Sequence, residues 1–200
     1  MVSVGSMRIQ QVLADATNVI AEGEVLQLLN CHNADVDVPQ YLRVIRYKTA
    51  KLFEAAMRLG AILSGAPADI EEGLARYGMH LGTAFQLVDD VLDYSGDEAA
   101  TGKHLGDDLA EGKPTLPLIH AMKHGSAEHA SCVRHAIEAG GRDALPGVLA
   151  AIRASGALDE TRRQAEAEAR LALEAIAPLP PSTFRDSLVQ LASFAVARDF

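Results

Sequence analysis

The 200 residues carry 18 basic and 27 acidic side chains, for a formal net charge of −9, and show no basic patch of the kind a nucleic-acid binder needs. A composition of 48 % hydrophobic and 22 % charged residues is that of an ordinary globular protein long enough to bury a core. Only 4 % is aromatic, Ala, Leu and Glu abound and β-branched runs are few, which favours helix over sheet.

The first predicted helix runs from about Ser6 to Leu29, where Ile9, Val12, Leu13, Ala16, Val19, Ile20 and Val25 recur at three- and four-residue steps. Asn30 to Val38 is polar and turn-like, and Pro39 opens a second helix that ends near Leu63 at the Ser64–Pro67 loop. A third, long helix is expected from Ala68 to Tyr94, with Asp69, Glu71 and Glu72 near its start, where the helix dipole favours acids. The Gly- and Asp-rich stretch from Ser95 to Gly112 reads as a loop. Pro114 then opens a fourth helix through Lys123. Shorter helices near 126–139, 143–155, 158–177 and 182–199 follow, punctuated by Gly140-Gly141, Gly156 and Pro178 to Pro181. A weak boundary near 125 is no linker, so 1–200 is expected to be one all-α domain.

No stretch reaches the roughly 18 uninterrupted apolar residues of a membrane span. MVSVGSMRIQQ lacks the basic head and apolar run of a leader, so no integral membrane segment and a cytoplasmic location are expected. Cys31 and Cys132 are far apart and form no CxxC pair, which reads as reduced thiols.

Phe85-Gln86-Leu87-Val88-Asp89-Asp90-Val91-Leu92-Asp93 carries the strongest chemical signal. On a helix Asp89 and Asp93 stack on one face, Gln86 shares that face, and Asp90 lies close round it. Three carboxylates so placed repel one another, and a divalent cation relieves the repulsion. Mg²⁺ takes oxygen ligands, keeps several waters and bridges carboxylates to phosphates. A solvated acidic face is the bland alternative. The apolar residues around the motif argue for burial, where acids need partners or a metal. The following segment, Thr101 to Thr115, holds two Gly-Lys pairs, Gly102-Lys103 and Gly112-Lys113. Lysine binds phosphate as a point charge, though an isolated Gly-Lys is usually surface. The upstream glycine and strand of a phosphate-binding P-loop are missing. Lys48-Thr49, on the second helix, means little alone. His120 and His124 stand four apart without an HExxH and read as structural or surface residues.

In order, Lys48-Thr49, FQLVDDVLD, Gly-Lys and GDDLAEGKPTLP resemble the trans-isoprenyl (polyprenyl) diphosphate synthases, above all their long-chain, octaprenyl-type branch. IAEGEVLQL (20–28), KTAKLFEAA (48–56) and LGTAFQLVDDVLDY (81–94) are similar to that branch as well. The resemblance implies an isoprenoid-synthase helical bundle, here its C-terminal portion, lacking N-terminal helices and the first aspartate-rich motif. It implies Mg²⁺-dependent joining of isopentenyl diphosphate to an allylic diphosphate, for isoprenoid or quinone side chains. By position, Asp89 would bind the ion, with Asp90 and Asp93 holding its waters or the geometry of the site. Lys48 and Lys103 would contact the allylic diphosphate, with Lys113 near it, and Thr49 and Gln86 would orient the ligand. A homodimer, or association with a full-length synthase, is also implied. Two alternatives share these residues: a non-catalytic partner and an inactive fragment. A terpene cyclase would carry an NSE-type second motif, which is absent.

Overall fold

The computed structural model describes residues 4–95 and 105–198, and among these every regular element is helical. Helix α1 spans Met7–Asn30. Helix α2 spans Val38–Ile45. It runs without a break through a π turn, Arg46–Ala50, into α3, Lys51–Leu63. The long α4 covers Ala68–Ser95. After it come α5, Asp107–Ala110; α6, Leu116–His124; α7, Ala127–Ala139; α8, Leu145–Ser155; α9, Ala157–Ala175; and α10, Thr183–Ala197.

Three of the expected boundaries shift, each for a local reason. Helix α2 begins at Val38 because Asp37 caps it: the Asp37 carboxylate accepts from Gln40 N–H at 2.8 Å, and Asp37 N–H donates back to Gln40 Oε1 at 2.9 Å. Helix α6 begins at Leu116 with Thr115 as its N-cap, so Pro117, in its first turn, plays the part expected of Pro114. The expected loop from Ser95 to Gly112 contains the helical turn α5.

Helix α4 is the axis of the fold, with α3 along one flank and α9 along another. The α9 contact is close because Ala165, Ala169 and Ala172 recur at helical spacing on its buried face and let the two backbones approach. Helix α10 closes over α4 and α9, burying Tyr77, Leu81, Ala172, Ile176, Ala192 and Ala195 together. The chain beyond residue 125 therefore returns to α4. A second cluster joins Tyr41, Ile45, Leu87, Val88, Leu116 and Ile119. A third gathers Tyr94, Leu109, Leu118, Val133, Ile137, Val148 and Ile152 from α4 to α8. Each large aliphatic side chain fully buried in this way stabilises the fold by about 1.5–3 kcal/mol.

Two glycines bring the π turn into the centre. A Cβ on Gly23 would lie 2.5 Å from the Lys48 backbone nitrogen, and one on Gly82 would lie 2.6 Å from Ala50 Cα. Helices α1 and α4 clasp the π turn at backbone contact, which no larger side chain would permit.

Candidate active site

The π turn exists because the Lys51 N–H reaches back five residues to Arg46 O. Such widened turns recur at functional sites. Here the turn brings two neighbouring residues, Lys48 and Thr49, to the wall of one cavity of about 260 Å³. Gln27 and Asn30 of α1, Tyr41 of α2, Gln86, Asp89 and Asp90 of α4, and Asp108, Lys113 and Thr115 complete the polar lining.

Each of these groups is held by a neighbour. Lys48 Nζ donates to Gln27 Oε1 at 2.6 Å and lies 3.1 Å from Glu24 Oε2, so α1 aims the ammonium. Thr49 Oγ1 donates to Gln86 Oε1 at 3.0 Å, which fixes the Gln86 amide. Its Nε2 then donates to Asp90 Oδ1 at 2.9 Å. Asp90 is 2 % exposed and also accepts from Tyr41 Oη at 2.6 Å. Burial, then the nearby Asp108 charge, pushes the Asp90 carboxyl well above its usual range, against the pull of its two donors. Burial first, and then the Asp90 charge, likewise raises the Tyr41 phenol.

Asp93 turns away from the cavity. Its two oxygens accept from the backbone N–H groups of Asp107 at 3.1 Å and Asp108 at 3.3 Å, and so cap the turn of α5. Burial and the Asp108 charge still push its carboxyl up to about 7. Lys113 Nζ lies 3.0 Å from Asp108 Oδ1 and 2.9 Å from Glu111 Oε2. Burial works against the Lys113 charge, but these acids outweigh it and raise its pKa.

The structure thus brings together Lys48, Thr49, Gln86, Asp89, Asp90 and Lys113 from the residues that the sequence singled out. Asp93 does not line that cavity; its oxygens accept from the backbone of Asp107 and Asp108. Lys103 lies outside the described residues. Tyr41, Asp108, Gln27, Glu24 and Arg198 were missed. Asp108 stood within GDDLAEGK and could have been named. Tyr41 and Arg198 had no local signal, since each meets α4 only through tertiary contact. Arg198 Nη2 stands 3.9 Å from Asp89 Oδ1. His120 and His124 stack at 4.3 Å and do not line this cavity.

The donor set fits a hard divalent cation. The acceptors on the cavity wall are oxygen only, and crowded carboxylates raise one another's pKa. Among the described residues no group of three or more His, Cys, Asp and Glu side chains stands ready to hold a metal. The site would therefore lend the cation one or two carboxylates, Asp89 first and Asp108 beside it. That is the pattern of Mg²⁺, which keeps its waters and bridges to phosphate.

A family model described as polyprenyl synthetase matches residues 1–152. Over all 200 residues the chain is 52 % identical to the octaprenyl diphosphate synthase of Escherichia coli strain K12 and spans 62 % of that protein. The crystal structure of a polyprenyl synthase from Caulobacter crescentus CB15, complexed with calcium and isoprenyl diphosphate, matches the whole chain with a TM-score of 0.95 at 42 % identity, over 62 % of its own length. That of a decaprenyl diphosphate synthase from Rhodobacter capsulatus does so with a TM-score of 0.92 at 42 % identity, again over 62 % of its length. The chain therefore spans just over three-fifths of each of these relatives.

Proposed function

This chain belongs to the polyprenyl synthetase family, and from that premise we propose that it carries the cation- and allylic-diphosphate-binding part of a polyprenyl diphosphate synthase. The reaction joins isopentenyl diphosphate to an allylic diphosphate. The bond from the allylic carbon to diphosphate breaks, the isopentenyl double bond attacks that carbon, and a proton is lost. Mg²⁺ supplies neutralisation of the departing diphosphate.

The chain's own residues do the rest. Asp89 holds the cation at the cavity wall, and Asp108 faces the same space. Lys48, aimed by Gln27, and Lys113, aimed by Asp108, bind the diphosphate oxygens. Lys103, by its place in the motif order, is proposed to join them. Thr49 and Gln86, bonded at 3.0 Å, orient the allylic end. Asp90 locks Gln86, and Asp93 pins the turn that carries Asp108. The observation that carries this reading is the convergence of Lys48, Thr49, Gln86, Asp89 and Lys113 on one cavity. The chain is proposed to act as one domain in the cytoplasm. No helix among the described residues is long and apolar enough to cross a membrane.

Val25, Leu28 and Leu29 share one face of α1 and are 56 %, 72 % and 71 % exposed. Large exposed apolar patches mark association surfaces, so this face supports pairing with a second copy or with a full-length synthase. It equally favours the second reading, a non-catalytic partner of such an enzyme. Calorimetric titration with Mg²⁺ and inorganic diphosphate tests the site. Saturable binding in the native chain that Asp89→Ala abolishes is the expected result. Binding that survives the substitution would sink the assignment. Co-purification with a full-length synthase, without elongation by the chain alone, would select the partner reading.

A further inference from the structure

Arg198 follows the last residue of α10, yet its side chain is only 10 % exposed, because it folds back onto α4. Its Nη2 donates to the Phe85 carbonyl oxygen at 2.8 Å. Its guanidinium carbon stands 4.0 Å from the centroid of the Phe85 ring, a cation–π distance. The same Nη2 stands 3.9 Å from Asp89 Oδ1, while Nε is buried without a hydrogen-bond partner. Taking a guanidinium this far out of water is costly unless a specific arrangement compensates. Here a carbonyl, an aromatic face and a carboxylate offset part of that cost. Burial outweighs the support that Asp89 gives, and the Arg198 pKa is lowered. Asp89 thus meets Arg198 at 3.9 Å and Gln86 Nε2 at 3.5 Å, and lines the polar cavity together with Lys48, Gln86 and Asp108.

We infer that Arg198 is a resident counter-charge of Asp89, a positioning residue at the end of the C-terminal helix with which a divalent cation on Asp89 must compete. The inference rests on the cation site proposed above and assigns it a control that the motif residues lack. Since coupling of this kind is reciprocal, a cation on Asp89 weakens the hold of α4 on Arg198, and the end of α10 loosens.

The test uses Mg²⁺ alone, the full chain, and the native, Asp89→Ala, Arg198→Gln and Arg198→Lys forms, with folding checked by circular dichroism. Removing one nearby unit charge is expected to tighten Mg²⁺ binding about tenfold in Arg198→Gln. The charge-preserving Arg198→Lys should stay close to the native form. Hydrogen exchange in the native chain should rise over residues 190–198 when Mg²⁺ is added. Native binding that Asp89→Ala abolishes, with equal or weaker binding in Arg198→Gln, overturns this inference and leaves the cation site standing. Absence of Mg²⁺ binding in both the native chain and Arg198→Gln overturns the two together. If Arg198→Gln does not fold, Phe85→Leu removes the ring that seats the guanidinium. It should tighten Mg²⁺ binding by a smaller factor, and unchanged affinity there counts against the inference.

Discussion

Tyr41 Oη donates to Asp90 Oδ2 at 2.6 Å across the gap between α2 and α4. Asp90 is drawn inward to Tyr41 and Gln86, and Asp93 is taken up by the backbone of α5. Asp89 lines the cavity with its side chain 33 % exposed, within 3.9 Å of Arg198. Three carboxylates that a helical wheel groups together thus stand in three different surroundings.

Replacing Tyr41 by Phe removes a donor from a buried carboxyl and leaves Gln86 as its remaining side-chain donor. The variant is expected to lose about 1–3 kcal/mol of stability. Urea unfolding of Tyr41→Phe beside the native chain would measure the loss. An unchanged midpoint would mean that the bond adds little to the fold.

Gly23→Ala places a methyl group where the Lys48 backbone nitrogen stands 2.5 Å away. Helix α1 must retreat from the π turn, which should cost about 1–3 kcal/mol, as overpacking usually does. Because Lys48 is aimed by Gln27 and Glu24 of the same helix, diphosphate binding should weaken in parallel. A drop in melting temperature with diphosphate affinity intact would separate the packing role from the aiming role.

Asp93→Ala strips the cap from α5 and frees the backbone N–H groups of Asp107 and Asp108. The cap is worth about 1 kcal/mol. Limited proteolysis should cut sooner between residues 105 and 113, and Mg²⁺–diphosphate binding should weaken without being abolished. Complete loss of binding, as in Asp89→Ala, would show Asp93 to be a ligand and not a support.

Glu168 accepts from His80 Nδ1–H at 2.6 Å and from Arg46 Nη2 at 3.0 Å. Burial of Glu168 disfavours its charge, but these two partners outweigh the burial and bring its pKa below the ordinary 4.5. A carboxyl with a depressed folded pKa contributes stability above its unfolded pKa and loses it as pH falls through the folded one. Acid unfolding followed by circular dichroism should therefore begin at higher pH in Glu168→Gln than in the native chain. Superimposable acid limbs would rule out this ion pair as a source of stability.

The long helices were legible because their evidence is local. Leu81, Val88 and Leu92 repeat within a single helix, and Asp69 and Glu71 stand in its first turn. The boundaries at Pro114 and across Ser95 to Gly112 were missed because Pro117, and not Pro114, enters the first turn of α6, and because Asp93 reaches the N–H groups of Asp107 and Asp108 only through the fold, which composition does not reveal. The π turn was equally hidden, since RYKTA carries no glycine or proline to announce it.

The sequence by itself determined an all-helical chain and the order Lys-Thr, DDxxD, Gly-Lys, since helical period and motif spacing are properties of neighbouring residues. Only the tertiary structure decided which of the acids would line the cavity and which would be taken up by neighbouring groups. It also decided that Tyr41 and Arg198 belong beside them. The physical reason is that burial, a partner's hydrogen bond and a countercharge are set by helices distant in sequence. The different surroundings of Asp89, Asp90 and Asp93 therefore arise only when α2, α5 and α10 close on α4.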